Sequence, residues 1–250
     1  IPEDTAQQQW SQVHTCSFDP NDKSVTPSGV GDLGLLYTPV PHLDYTIRFQ
    51  NTGTDTAYTV VLVDELSSAL NTSHLQVIGY SHPPSEVRIE TDGTLVVRFT
   101  NILLPDSSTD PLGSQVFFSF RITPGTDLPA VTLVDNTAKI FFDQNPAVQT
   151  DNTLTTLVDC SAFDASITDM GSLLQAPTGC NYQWYWNGEV IADDTTQQIQ
   201  TIGSGDYTVT FTTNYGCHLT SPPMQVLTTG ITEPDAGRMA LLPNPMTEAT

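Results

Sequence analysis

Near its amino terminus the sequence carries polar side chains that could bind a hard metal ion. Asp19, Asn21 and Asp22 offer two carboxylates and an amide within four residues, and such oxygens are the ligands that Ca²⁺ prefers. Asp143 and Asn145, near the predicted last strand of the first domain, would complete the shell if the first and last strands lie side by side. The alternative is a turn in which these side chains accept hydrogen bonds from backbone amides. We expect either a Ca²⁺ site or such a turn, and no other cofactor.

The residue types that commonly catalyse reactions are present but are not arranged for catalysis. The chain has no Gly-x-Ser-x-Gly motif and no Gly-rich phosphate loop. The adjacent carboxylates Asp64 and Glu65 are predicted to lie in a strand, where neighbouring side chains point to opposite faces. None of the five histidines has the spacing of a metal ligand. We therefore predict no catalytic residue and no enzymatic activity.

The cysteines indicate an oxidising compartment. Cys16, Cys160, Cys180 and Cys217 lack the spacing of a zinc site. Their even number in a Lys-poor, Thr-rich chain predicts two disulfides, for which sequence alone allows three connectivities. We favour a bond from Cys180 to Cys217 inside the second half and a bond from Cys16 to Cys160 that joins the two ends of the first.

The charge of the chain excludes several classes of partner. Seven basic residues face 28 acidic ones, which gives a formal net charge of −21 at pH 7. Such a surface repels phosphate groups, so we expect no nucleic acid and no anionic lipid surface as a partner. No apolar run approaches the roughly 20 residues that cross a bilayer, so no membrane insertion is expected. Residues 1–4 do not resemble a signal peptide, and we expect the sequence to begin inside a longer precursor or after processing.

Apolar residues recur at every second position through most of the chain, a pattern typical of β-strands with one buried face. No stretch sustains a helical period with capping residues. Turn-forming pairs such as Asp92-Gly93 and Pro124-Gly125 separate the runs. The clearest runs are Leu43–Phe49, Tyr58–Val63, Thr94–Phe99 and Val116–Ile122. We predict an all-β chain of two tandem antiparallel β-sandwich domains of the Ig-like kind.

The chain of 250 residues is long enough for two domains. We predict a lead-in over residues 1–16, a first sandwich over 17–159 and a second over 160–229. Residues 230–250 are rich in proline and show little alternation, which predicts a linker that leads into a further domain.

Four motifs of the first half occur in the order seen in a domain common in large secreted Bacteroidetes proteins. They are Phe18–Lys23, Phe49–Ala57, Leu104–Ser107 and Asn136–Pro146. The stretch from Ser17 to Leu157 resembles that domain, which is itself similar to the surface repeats of bacterial adhesins. The resemblance implies a β-sandwich that is one of several modules in a long secreted chain.

The second half resembles the Ig-like, PKD-like module of the same proteins. The motifs are Cys180–Gly188, Ser204–Val209 and Asn214–Cys217. Trp184 is predicted to be the core aromatic of one central strand, with Tyr207 on its neighbour. Leu242–Pro245 resembles the opening of the C-terminal sorting domain that directs cargo through the type IX secretion system.

The resemblance to adhesin repeats implies a further reaction. In such repeats a lysine on the first strand and an asparagine near the last condense into an isopeptide bond, which a buried carboxylate promotes. Lys23, Asn136 and Asp64 hold the matching places in this sequence. The reaction requires a neutral lysine and a protonated acid, which is why such groups lie in apolar cores. An ordinary surface lysine is the alternative.

Short motifs also resemble the sites that Bacteroidetes O-glycosylate during export. In each, a threonine follows an aspartate, and the candidate acceptors are Thr5, Thr56 and Thr195. The alternative is that these are ordinary polar loop residues. Thr56 is the first candidate because it lies in a predicted exposed turn.

Together these features predict a non-catalytic spacer at the C-terminal end of a large secreted or cell-surface bacterial protein. The predicted location is extracellular or at the outer-membrane surface. The expected partners are the type IX secretion and anchoring machinery and the upstream domains of the same chain. One alternative is an adhesive carbohydrate- or protein-binding module, with Tyr80, Trp186 and Tyr215 as exposed aromatics. The other is an accessory region of a secreted hydrolase whose catalytic domain lies upstream.

Overall fold

A computed structural model describes residues 20–227, which form β-strands and one short 3-10 helix, Cys160–Ala162. The chain divides into two compact units between Phe163 and Asp164. The sequence predicted a boundary between Asp159 and Cys160, before the 3-10 helix. The prediction of an all-β chain of antiparallel sandwiches is confirmed. Within residues 20–227 no helix has the length and apolar character needed to cross a membrane.

Residues 20–163, the described part of the first unit, contain twelve strands. Two large sheets have the strand orders β1-β3-β8-β5 and β11-β10-β4-β7-β6, and a small third sheet has the order β2-β12-β9. The strands are β1 Asp22–Thr26, β2 Leu35–Tyr37, β3 Leu43–Gln50, β4 Ala57–Glu65, β5 Leu70–Tyr80, β6 Glu86–Ile89, β7 Thr94–Leu104, β8 Gln115–Pro124, β9 Val131–Asn136, β10 Ala138–Phe142, β11 Val148–Gln149 and β12 Thr153–Val158.

The core of the first unit lies between its two large sheets. Along β3 every second side chain, from Leu43 to Phe49, is buried, as the apolar alternation predicted. Phe49 of β3 meets Phe99 of β7 and Phe142 of β10 edge-on, with ring centroids 6.2 and 5.9 Å apart. These contacts join the two sheets face to face and exclude water from the space between them.

The end of β9 is the point where the chain passes from one sheet to another. β9 pairs with β12 in the small sheet, and only Thr137 separates it from β10, which pairs with β4 in a large sheet. Asn136 therefore lies at the junction of two sheets. Its backbone is held there by the register with Thr153, whose hydroxyl donates a 3.1 Å hydrogen bond to the Asn136 carbonyl.

The second unit is a smaller sandwich around Trp184 and Tyr207, both fully buried on neighbouring strands as predicted. The Trp184 Nε1 donates to the Thr196 carbonyl at 2.9 Å, and the Tyr207 hydroxyl accepts from the Ile202 and Gly203 amides. Its strands are β13 Thr168–Asp169, β14 Leu173–Gln175, β15 Cys180–Trp186, β16 Glu189–Val190, β17 Gln198–Gln200, β18 Gly205–Thr212, β19 His218–Thr220 and β20 Met224–Val226.

The cysteines depart from the predicted pairing. Cys160 and Cys217 are disulfide-bonded, whereas Cys180 is a free thiol with an exposed side chain. The predicted bond between Cys180 and Cys217 is therefore wrong. Cys180 begins β15 with its side chain in solvent, while Cys217 is buried, so the two side chains do not share an environment. Cys16, the predicted partner of Cys160, lies outside the described residues.

Candidate functional site

The first component of the site is a lysine that β1 turns into the core. Alternate residues of this short strand face inward, so Lys23 and Val25 are buried while Asp22 and Ser24 face outward. Lys23 is only 5% exposed, which is rare for a lysine because its charge prefers water. The polar residues around Lys23 in the sequence therefore gave no indication that its side chain points into the core.

Two further polar side chains are buried in the same core. Asp64, near the end of β4, is 0% exposed and Asn136 is 1% exposed. Asp64 pairs across the ladder with Ala138, two positions after Asn136. The strand register therefore places the carboxylate beside the end of β9, and the three residues predicted to form the isopeptide site converge in the interior.

The lysine and the carboxylate are in direct contact. Lys23 Nζ donates a hydrogen bond to Asp64 Oδ2 at 2.5 Å, and both side chains are fully shielded from solvent. The ammonium group also lies 5.1 Å from the ring centroid of Tyr45 and 6.0 Å from that of Phe120. These two rings stack on each other with centroids 5.2 Å apart. The pair is thus enclosed by aromatic surface.

Burial shifts the ionisation of both groups towards their neutral forms. Desolvation lowers the pKa of Lys23 from 10.5 to about 8, although the nearby Asp64 opposes the shift. Desolvation likewise raises the pKa of Asp64, with Lys23 opposing and the charge of Glu65 adding to the rise. In a water-free site the proton can pass from amine to carboxylate, which removes two buried charges at once.

Several polar atoms around the pair lack hydrogen-bond partners among the described residues. They are Asp64 Oδ1, both carboxamide atoms of Asn136 and the Tyr45 hydroxyl. Buried polar groups are nearly always paired, because an unpaired one costs about 1–3 kcal/mol. A group of unpaired atoms in one place is therefore unusual for a purely structural core and is typical of a site arranged for chemistry.

The arrangement supplies the components of an acyl transfer. A neutral lysine amine is a nucleophile, a primary carboxamide is an electrophile, and a protonated carboxyl group can pass a proton to the departing nitrogen. Each is present once in the cluster, and surrounding aromatic rings keep out competing water.

The carboxylates predicted to bind Ca²⁺ have other partners. Asp22 accepts a two-point ion pair from Arg48, and Asp143 accepts hydrogen bonds from the Tyr58 and Thr59 amides. Asn21 and Asn145 line one surface pocket, and Asp19 lies outside the described residues. Over residues 20–227 there is no group of three or more acidic, histidine or cysteine side chains that could hold a metal. The Ca²⁺ site therefore stays a prediction, and the described residues contain no carboxylate cluster that supports it.

The glycosylation candidates lie in different settings. Thr195 is exposed in the loop before β17, whereas Thr56 is half-buried immediately before β4. The Thr56 amide donates to the Asp55 carboxylate, so the predicted exposed turn is partly closed. Thr5 lies outside the described residues, and all three sites stay predictions.

The aromatics proposed for ligand contact are also unlike one another. Tyr80 is 48% exposed at the end of β5. Trp186, predicted to be exposed, instead packs against the core of the second unit, and Gly203 lies against its indole ring. Tyr215 is half-buried. Of the three, only Tyr80 offers the broad exposed surface that a sugar-stacking role requires.

Sequence reasoning missed Tyr45 as a component of the site. Its place in the alternating run Leu43–Phe49 predicted burial but gave no reason to link it with Lys23 or Asn136. Tyr45 pairs with Val25 on β1, which brings its ring beneath the Lys23 amine. Only the strand register reveals this contact.

The fold and the cluster together define the class of protein. It is an all-β sandwich module in which a lysine, an aspartate and an asparagine are buried together. Within that class, the chain belongs to the family described as domain of unknown function DUF7619, whose model matches residues 19–156. The match includes Lys23, Asp64 and Asn136. No curated protein is significantly similar in sequence.

Three solved structures of bacterial surface proteins are similar to this chain. The major pilin subunit BcpA of Bacillus cereus shares 16% identity over 84% of this chain and 66% of its own, with a TM-score of 0.37. Domains D2 and D3 of the major pilin SpaD from Corynebacterium diphtheriae share 14% over 77% and 82%, with a TM-score of 0.39. The collagen-binding domain of a Staphylococcus aureus adhesin shares 10% over 58% and 100%, with a TM-score of 0.33. Similarity this low carries no conclusion about ligands or partners.

Proposed function

We propose that this chain is a non-catalytic structural region of a larger secreted or cell-surface bacterial protein, reinforced by an isopeptide bond between Lys23 and Asn136. The observation that carries the proposal is the buried contact of Lys23 with Asp64 at 2.5 Å beside the unpaired carboxamide of Asn136. A surface lysine, the alternative weighed from sequence, does not fit a side chain that is fully shielded from solvent.

The bond forms by exchange of one amine for another. The neutral Lys23 Nζ attacks Asn136 Cγ, the Cγ–Nδ2 bond breaks, and ammonia leaves. Asp64 begins protonated, gives its proton to the departing Nδ2 and takes the proton that Nζ loses, so it ends as it began. No oxidant, metal or second substrate is needed, and the chain reacts once with itself.

Such a bond suits a spacer because of the strands it joins. β1 is the first strand among the described residues and an outer strand of its sheet, while β9 belongs to a different sheet. A covalent link between them closes a long loop and resists unravelling from the amino-terminal end. A module of this kind would carry tension without depending on hydrogen bonds alone.

The wider setting of the proposal rests on sequence motifs. Leu242–Pro245 supports export by type IX secretion in a Bacteroidetes cell, and the disulfide-bonded Cys160 and Cys217 support an extracellular location. The secretion and anchoring machinery and upstream domains of the same chain would be the partners. The acidic surface is consistent with this setting because it favours solubility.

Intact mass spectrometry of the full chain tests the bond directly. We expect a reduced, unfolded sample to be lighter than its sequence by one ammonia per chain. Lys23→Ala and Asn136→Ala should each restore the full mass. The matched control is Lys139→Ala, which removes a lysine exposed beside Glu65 and should leave the deficit unchanged. A wild-type chain with its full sequence mass after complete folding would exclude the bond.

Bond formation should depend on pH in a way that identifies the proton of Asp64. When the Lys23–Asp64 pair shares a single proton, that proton can be on Asp64. The amine is then neutral while the carboxyl group is protonated. Above pH about 8, the lowered pKa of Lys23, the pair loses that proton and the acid is absent. We expect a rate that is level near neutral pH and falls about tenfold per unit at higher pH. Time-resolved mass spectra after refolding measure it, and a rate that still rises from pH 8 to 10 would contradict the role of Asp64.

A further inference from the structure

Tyr45 is a buried tyrosine beside the reacting groups. The proposed reaction has so far given its hydroxyl no role. Its side chain is 0% exposed, and its hydroxyl has no hydrogen-bond partner among the described residues. A tyrosine hydroxyl in a core usually finds a partner, since leaving it unpaired costs free energy. An unpaired phenol therefore requires an explanation.

The surroundings of Tyr45 connect it to both reacting residues. One face of the ring lies under the Lys23 amine, 5.1 Å from the ring centroid, and the ring stacks on Phe120. Burial, together with the charge of Asp64, raises the pKa of Tyr45, whereas the nearby Asn136 carboxamide acts to lower it. Neither carboxamide atom makes a hydrogen bond of ordinary geometry with a described group. The phenol and the amide are thus close together without a well-formed hydrogen bond between them.

We propose that the Tyr45 hydroxyl donates a hydrogen bond to Asn136 Oδ1 as negative charge develops on that oxygen during attack by Lys23. This inference rests on the proposed isopeptide bond and assigns Tyr45 as a catalytic residue for it. When Nζ bonds to Cγ, the carbonyl electron pair moves to Oδ1 and the phenol stabilises it. When the carbonyl re-forms, Nδ2 departs as ammonia with the proton that Asp64 carries. Tyr45 keeps its own proton throughout.

Two features make Tyr45 the better donor than its neighbours. Asp64 already uses Oδ2 for Lys23 and must handle the transferred proton. Thr155 is the rival, because its buried hydroxyl is also unpaired and Thr155 pairs with Val134, a diagonal position relative to Asn136. The phenol differs in being stacked and held in one orientation, and a donor fixed before the reaction stabilises a developing charge best.

The test is the rate of bond formation in Tyr45→Phe. The full chain is collected in denaturant before it has ever folded, so that no bond has formed, and is then refolded while mass spectra record the loss of ammonia. Removing one donor of this kind slows reactions by about a hundredfold or more. We expect such a slowing in Tyr45→Phe and a rate close to that of wild type in the control Thr155→Val. Phenylalanine keeps the stacked ring, and circular dichroism verifies the fold.

A second measurement separates catalysis from a structural effect. If the phenol stabilises only the developing charge, Tyr45→Phe lowers the level part of the pH–rate profile and leaves the pH of its decline unchanged. A decline displaced to another pH would mean that the mutation had disturbed the Lys23–Asp64 pair, and the proposal would be overturned. A wild-type rate in Tyr45→Phe, or slowing in Thr155→Val alone, would overturn it while the bond itself stands. Absence of the bond in wild type would instead refute the proposed function.

Discussion

Replacing Asn136 with alanine should lower the free energy of unfolding of the first unit by about 5 kcal/mol, because the covalent link between β1 and β9 is lost. A link that closes a loop of about 100 residues stabilises a fold by roughly that amount, chiefly by restricting the unfolded chain. Asn136 itself makes no side-chain hydrogen bond with the described residues, so its removal costs little besides the link. Denaturant titration of the full chain, with intact mass measured on the same sample, gives both quantities.

The matched control for this experiment is Asn152→Ala. Asn152 is exposed and accepts one hydrogen bond from the Thr137 hydroxyl, close to the same strand junction. Its loss should cost less than about 1 kcal/mol. Equal destabilisation by the two alanine variants would show that no link was lost with Asn136. The slope of unfolding against denaturant should also rise in Asn136→Ala, since the unlinked chain exposes more surface.

The strands of the first unit were largely predictable because their apolar alternation is local. The run Leu43–Phe49 forms β3 with its predicted faces, and Trp184 and Tyr207 occupy the core of the second unit as expected. The partners of each strand were not predictable in the same way. Lys23 and Asp64 are 41 residues apart in sequence and meet because β1 and β4 lie in facing sheets.

The errors made from sequence share one physical cause. Polar side chains have several possible partners, and a sequence does not say which is used. Cys180, predicted to pair with Cys217, faces solvent. Trp186, predicted to be exposed, packs where Gly203 leaves room for its ring. Each outcome depends on tertiary contacts rather than on residue type.

The buried cluster is unfavourable for the free energy of folding, and the proposed reaction relieves part of that cost. Burying an ion pair seldom stabilises a protein more than apolar residues of similar size would, because desolvation offsets the attraction. The unpaired atoms of Asn136 and Tyr45 add a further cost. A condensation that removes the lysine charge and expels ammonia relieves part of that cost, and because ammonia diffuses away, the product is kept.

Lys23→Met should make stability depend on pH with a sign set by Asp64. Without the lysine, Asp64 lies in the core with no opposing charge, and its pKa, already raised by burial, rises further. Below pH about 4 both folded and unfolded chains hold the proton and no penalty exists. As the pH increases, the unfolded chain releases the proton first, so stability falls by about 1.4 kcal/mol per unit until the folded pKa is reached.

The appropriate reference for Lys23→Met is Asn136→Ala, which also lacks the link but keeps Lys23 to balance Asp64. At pH 7 we expect Lys23→Met to be the less stable of the two by about 3–5 kcal/mol, the usual cost of an unpaired buried charge. The difference should close by pH 4, where Asp64 is neutral. Adding Asp64→Asn to Lys23→Met should remove the pH dependence, whereas Lys139→Met, at an exposed pair, should change stability by less than about 1 kcal/mol at any pH. Urea titrations from pH 4 to 8 measure these differences, and a constant gap between the two unlinked variants would mean that Asp64 is not the charge that Lys23 balances.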